Sequence, residues 1–274
     1  MEYLESNQLF LTPNIGARKS LMLEDSLKSM NKNQKVFIVG ICGGQGGGKT
    51  KLAKILCKNI NKSAIIEERN YFKASKAKRK LTYGDEVLLS KFGEYSEERK
   101  TLLVELSNPL SYDYKKLYND LKSLIEGKPI VLKQFDEMEG RYTGEKIEIN
   151  PKNDYLIILE GYFIFKNENV RDLINLKIFN EVDDDVRLSR LLVNENVFLK
   201  GLPIAFKHFF MIYEKYIKVS YEKNIEPTKK QAKIILSNCI VKDEDEDKGE
   251  ILVEDETLII LINNLKNVVN RMRI

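Results

Sequence analysis

A β-branched apolar run, Val36-Phe37-Ile38-Val39-Gly40-Ile41, leads into Cys42-Gly43-Gly44-Gln45-Gly46-Gly47-Gly48-Lys49-Thr50, after which Leu52, Ile55, Leu56 and Ile60 recur at helical spacing. The first part predicts a strand buried on both faces, and the last an amphipathic helix. Between them, Gly43 to Thr50 has the form G-x-x-x-x-G-K-[ST], which a phosphate loop takes between a strand and a helix. Glycines let backbone N–H groups turn inward onto phosphate oxygens, at the positive end of the following helix. Lys49 is placed to reach the β- and γ-phosphates, and the Thr50 hydroxyl to ligate Mg²⁺. The pattern therefore predicts a nucleoside triphosphate site made by Gly43, Gly44, Gln45, Gly46, Gly47, Gly48, Lys49 and Thr50. A glycine-rich turn without a ligand is the plain alternative.

With 274 residues the chain can bury a large α/β core. Lys and Arg number 45 against 41 Asp and Glu, a net +4 too balanced to argue for nucleic acid or a membrane surface as a partner. Cys42, Cys57 and Cys239 are too scattered for a disulfide framework or zinc spacing, and the first two read as small core residues. The first residues carry acids and no long apolar run, so no signal peptide is expected, and no stretch is long enough to cross a bilayer. A cytoplasmic, reducing setting fits. His208, set among Phe206, Phe209 and Phe210, reads as structural.

Residues 1–34 form an extension with weak periodicity, broken by Pro13 and Gly16. One domain is expected over residues 35–274. In it, Ala64-Ile65-Ile66 reads as a second strand, Lys73 to Lys80 as a solvated basic run, and residues 81–107 as helical up to the break at Asn108-Pro109. Tyr114 to Glu126 is a helix closed by Gly127, and Ile130 to Asn150 a small hairpin. Tyr155 to Gly161 is a strongly apolar strand with Glu160 near its carboxyl end, where parallel α/β sheets bind their ligands. Further strands are expected at Leu176 to Phe179 and Ile234 to Leu236, and helices from Asp184, over Ile204 to Asn224, and over Glu256 to Arg273. An acidic loop, Asp243 to Asp247, precedes the last helix. Strands alternating with helices predict a doubly wound, mostly parallel sheet with flanking helices, the phosphate-loop kinase fold, carrying a small β-hairpin and a helical lid.

Beyond the phosphate loop, five stretches together resemble the uridine–cytidine kinase family within the phosphoribulokinase/uridine kinase group. They are Gly40 to Leu56, Leu121 to Asp136, Ile157 to Phe163, Val170 to Arg190 and Pro227 to Leu236. The resemblance implies ATP on Gly43 to Thr50 and Mg²⁺ held by Thr50 and Glu160. It also implies a small-molecule acceptor near Tyr71, Phe72 and Phe135, and Arg190 near the transferring phosphoryl group. Each has a bland alternative: the aromatics could fill the core, and Arg187 and Arg190, three apart on one helix face, could pair with nearby acids. The guanine-reading N-K-x-D of GTPases is absent, with Pro151-Lys152-Asn153-Asp154 only an echo.

The departures cluster on the acceptor side. Where the family carries an aspartate that serves as general base and metal partner, an ungapped alignment places Arg69, and a one-residue slip places Glu68. A guanidinium cannot accept a proton at neutral pH. The ribose-contacting acid of the family is missing from Ser107 to Tyr112 unless Asp113 substitutes, and Leu191-Leu192-Val193-Asn194-Glu195 stands where the family has an arginine-rich lid. Two functions remain open: a kinase transferring the ATP γ-phosphate to a nucleoside or related hydroxyl, and a catalytically impaired nucleotide-binding protein with a structural or regulatory role. A homo-oligomer or a protein partner is left open too.

Overall fold

The computed structural model describes residues 34–73, 97–137, 139–153, 155–194, 203–237 and 256–272. In chain order these form β1 (Phe37–Gly43), α1 (Lys49–Asn59), β2 (Ser63–Glu67), α2 (Glu97–Leu106), α3 (Tyr114–Ile125), β3 (Ile130–Asp136) and β4 (Arg141–Ile149). They continue with β5 (Leu156–Gly161), α4 (Glu168–Asp172), β6 (Leu176–Glu181), α5 (Asp184–Asn194), α6 (Pro203–Ile212), β7 (Ile234–Ser237) and α7 (Glu256–Met272). Residues 1–33, the basic run from Ala74 to Lys80, the expected helical stretch 81–96, residues 195–202 after α5, Cys239 and the acidic run Asp243 to Asp247 lie outside the described residues. Of His208 only the backbone is described.

Five strands form one sheet in the order β2-β5-β1-β6-β7, every pairing parallel. β3 and β4 make a separate antiparallel hairpin. The doubly wound sheet with its hairpin is therefore as the sequence predicts. Alternation along the strands produces the two covered faces. From β1 and the residue before it, Val36, Ile38 and Cys42 point into one core with Leu117, Leu121 and Leu124 of α3, while Phe37, Val39 and Ile41 point into the other with Leu52, Ile55 and Leu56 of α1 and Leu258, Leu261 and Leu265 of α7. Because β1 lies between β5 and β6, its carboxyl end opens centrally between both neighbours, and the phosphate loop follows at that point.

One stretch differs from expectation. Between Ile204 and Asn224 a single helix is expected, but after Ile212 the chain widens into i→i+5 turns over Tyr213–Lys218 and Tyr221–Ile225. Tyr213, Ile217, Tyr221 and Ile225 are all buried and lie four residues apart. A strict four-residue step outruns a 3.6-residue turn, and the wider turn keeps these side chains on one face. Leu191 and Leu192 are likewise core residues, packed with Leu103 and Val104 of α2 and with Phe209 and Ile212 of α6.

Gly40 packs tightly against side chains in the central strand: a Cβ there would lie 2.8 Å from Ile174 Cδ1 and 2.9 Å from Phe165 Cε1. Gly40→Ala is expected to lose about 1–3 kcal/mol in urea unfolding through overpacking. The double variant with Ile174→Val should lose less than the sum of the two single changes.

Candidate nucleotide site

Gly48 ends the phosphate loop at φ +82° directly before α1, a left-handed conformation that glycine adopts without strain. The loop is tied from outside: Asn180 Nδ2 donates to the Gly47 carbonyl at 2.5 Å, and Arg190 Nη1 to the Gly46 carbonyl at 3.4 Å. Arg187 lies against Gly44, its guanidinium carbon 3.7 Å from the Tyr221 ring centre, and pairs with Asp184. Lys49 is 5% exposed. Its ammonium donates to the Gly44 carbonyl at 3.0 Å and sits 4.0 Å over the Tyr162 ring. Burial pulls its pKa down, and the charge of Glu160 opposes that.

Thr50, the second residue of α1, donates its hydroxyl to Glu160 Oε1 at 2.9 Å. The pair that would hold Mg²⁺ is thus assembled, but Arg69 shares the place. Its Nη2 donates to Thr50 Oγ1 at 3.3 Å and to Glu67 Oε1 at 2.9 Å, and lies 3.7 Å from Glu160 Oε1. Nε donates to Glu67 Oε2 at 2.9 Å and Nη1 to Glu137 Oε2 at 3.1 Å. Burial works against this cation, but Glu67, Glu160 and Glu137 hold its pKa above the ordinary value. Glu160 is itself pushed up by burial and drawn down by Lys49 and Arg69. A Mg²⁺ ion needs near-octahedral oxygen at about 2.0–2.1 Å and keeps several waters. Thr50 and Glu160 do not fit such an ion while a guanidinium nitrogen stands beside both oxygens. Among the described residues no group of three or more His, Cys, Asp and Glu could hold a metal.

Glu68, the other residue considered for the base, is buried against Gly161 at the end of β5. Its side chain is 2% exposed and accepts from Tyr162 N at 2.6 Å, Phe163 N at 3.1 Å and Tyr114 Oη at 2.9 Å. Tyr71, Phe72 and Phe135 are buried in the core beneath the β3–β4 hairpin. Tyr71 Oη donates to Asp120 at 3.0 Å, and the Phe135 ring lies 5.0 Å from Phe72 and 5.2 Å from Tyr142. Asp113 caps α3, accepting from Lys116 N at 3.0 Å. The structure thus gathers Lys49, Thr50, Glu160, Arg69 and Arg190 at the phosphate loop and leaves Glu68, Tyr71, Phe72, Phe135 and Asp113 in packing or capping roles. Cys42 is buried, its thiol pushed up to about 12 by desolvation.

A family model described as phosphoribulokinase/uridine kinase matches residues 38–244. The chain belongs to this family. It is 28% identical over 205 residues to a uridine kinase of Streptococcus agalactiae, covering 74% of this chain and 87% of that one. To a uridine kinase of Lactobacillus helveticus it is 30% identical over 210 residues, 76% of this chain and 89% of the other. A solved D-glycerate 3-kinase from Cryptococcus neoformans overlaps 78% of this chain and 89% of its own, at 19% identity and a TM-score of 0.45, and adds nothing to the assignment. Among the described residues no helix is long and apolar enough to cross a membrane.

Within this family member, sequence reasoning passed over Glu137, Tyr162 and Asn180. Asn180 carries a usable signal, since it stands at the carboxyl end of a parallel strand beside β1. Glu137 and Tyr162 reach the site by contacts across the fold that no local pattern announces. Desolvation raises Glu68 to about 7 from an ordinary 4.5, despite its hydrogen bonds from Phe163, Tyr114 and Tyr162. A carboxyl raised on folding contributes stability fully below about 4.5 and loses that contribution as pH rises through about 7. The stability of wild type relative to Glu68→Gln, from urea unfolding at a series of pH values, should therefore fall between about pH 4.5 and 7 and level off above.

Proposed function

We propose that the chain binds ATP on residues 43–50 and acts as a uridine kinase-like phosphotransferase, passing the γ-phosphate to a hydroxyl of a nucleoside such as uridine or cytidine, or of a related small molecule. The observation that carries this reading is the meeting of Lys49 and Thr50, at the head of α1, with Glu160, at the end of β5. Lys49 would leave the Gly44 carbonyl for the β- and γ-phosphates, and Arg190, next to the loop at Gly46, would stabilise charge on the group in transfer. No step is assigned to Mg²⁺, because Arg69 already stands at Thr50 and Glu160. Phosphoryl transfer depends mostly on positioning and electrostatics, so the reaction tolerates a weak base.

A second reading, a nucleotide-binding protein that does not turn over, is favoured by one observation. Arg69 faces the crevice where a base would act, while both carboxylate oxygens of Glu68 are committed elsewhere. Losing a general base costs about a hundred- to ten-thousand-fold in rate. ATP consumption by the purified chain over a panel of nucleosides and small alcohols separates the two readings. Turnover of about 1–100 per second would establish the kinase; none above background, with ATP still bound, would establish the second reading. Lys49→Ala should weaken ATP binding by about tenfold or more in calorimetry, since a charge-assisted contact worth at least about 1.4 kcal/mol is lost. Equal affinity in both proteins would remove residues 43–50 as the site.

A further inference from the structure

We propose that Arg69 is a built-in counter-cation that takes the place of the divalent ion, so that this chain binds nucleotide without metal; this rests on the nucleotide-binding reading above. The Nη2 atom is surrounded as a cation would be, with oxygens of Glu67, Thr50 and Glu160 at 2.9, 3.3 and 3.7 Å. The Thr50 hydroxyl is used on both sides, donating to Glu160 and accepting from Arg69. Glu67 and Glu137 clamp the guanidinium from the other flank, so an ion bridging Thr50 and Glu160 has to dislodge a group held by two ion pairs.

The same guanidinium can turn to a polyphosphate. Its fork matches two phosphate oxygens as well as it matches a carboxylate. Glu67 and Glu137 keep about a fifth of their side-chain surface exposed, 19% and 23%, whereas Glu160 keeps 6%. A phosphate arriving over the loop can therefore replace either of the more exposed partners while Glu160 and Thr50 stay in place. Lys49 on one side and Arg69 on the other would then supply two fixed positive charges to the phosphates.

The test is calorimetric titration of the full chain with ATP, once with excess EDTA and once with saturating Mg²⁺. The expected result is the same Kd within about threefold in both buffers. A Kd about tenfold or more weaker in EDTA overturns the proposal, and that comparison needs no variant. In parallel, Arg69→Ala, checked for folding by circular dichroism, should bind ATP at least about tenfold more weakly in EDTA and recover affinity when Mg²⁺ is added. If the folded variant binds as wild type does in EDTA, Arg69 is not the cation and the proposal falls. If wild type binds no ATP in either buffer, the nucleotide reading fails and takes the proposal with it, an outcome distinct from binding that depends on Mg²⁺.

Discussion

Glu160 ends a strand packed on both faces, and an ionised carboxylate buried there costs several kcal/mol unless compensated. Compensation arrives from two elements. Thr50 and Lys49 supply it from the head of α1, and Arg69 from the turn after β2. Neutralising one acid thus fastens the phosphate loop to β5 and the sheet edge to both. The parallel register aligns Glu67 of β2 directly with Glu160 of β5, which sets two acids side by side. Arg69 relieves that repulsion by binding Glu67 through two nitrogens and approaching Glu160 with one of them. The rest of the crevice is arranged around this charge cluster: Glu137 adds a second carboxylate to the guanidinium, and Tyr162 links Glu137 back to Lys49 through its hydroxyl and ring.

The phosphate loop and its strand were legible because their signals are local: a β-branched run, a fixed glycine spacing and a helical apolar period all fall within 25 residues, about the length over which such patterns are read. The parallel sheet was legible for a related reason, since strands buried on both faces cannot alternate polar with apolar. The neighbours Glu68 and Arg69 were not legible. Which groups each of them meets is decided by partners far along the chain. Glu68 is claimed by the amides of Tyr162 and Phe163, 94 and 95 residues away, and Arg69 by Glu137, 68 residues away. A one-residue shift of register would exchange their environments, the usual ambiguity of a strand end.

The acceptor side shows the complementary ambiguity. Tyr71, Phe72 and Phe135 look like a binding wall from sequence, because aromatics serve pockets and cores with the same surface. Here the Phe72 and Phe135 rings tilt on each other and pack edge to face on Tyr112 and Tyr142, while Tyr71 Oη donates to Asp120 and Tyr142 Oη donates to the carbonyls of Phe72 and Asn70. Such bonds fix the hairpin against the turn after β2, so the cluster positions Arg69 from behind. The Leu191 and Leu192 pair follows the same logic. Apolar residues at the end of α5 are drawn into the core shared with α2 and α6, which is incompatible with a row of solvent-facing arginines at those two positions.

A cation supplied by the chain behaves differently from one that travels with the substrate. Magnesium arrives already bound to phosphate oxygens and can leave with the product, whereas a guanidinium is present before, during and after. In this protein Arg69 is fully partnered by Glu67 and Glu137, so binding phosphate through it is an exchange. The carboxylate that is displaced loses its cation while remaining in a partly buried crevice, a cost that the new phosphate contact has to exceed. Arg69 cannot take a proton itself. On the proposal above, the counter-charge therefore stays with the chain and does not leave with the nucleotide.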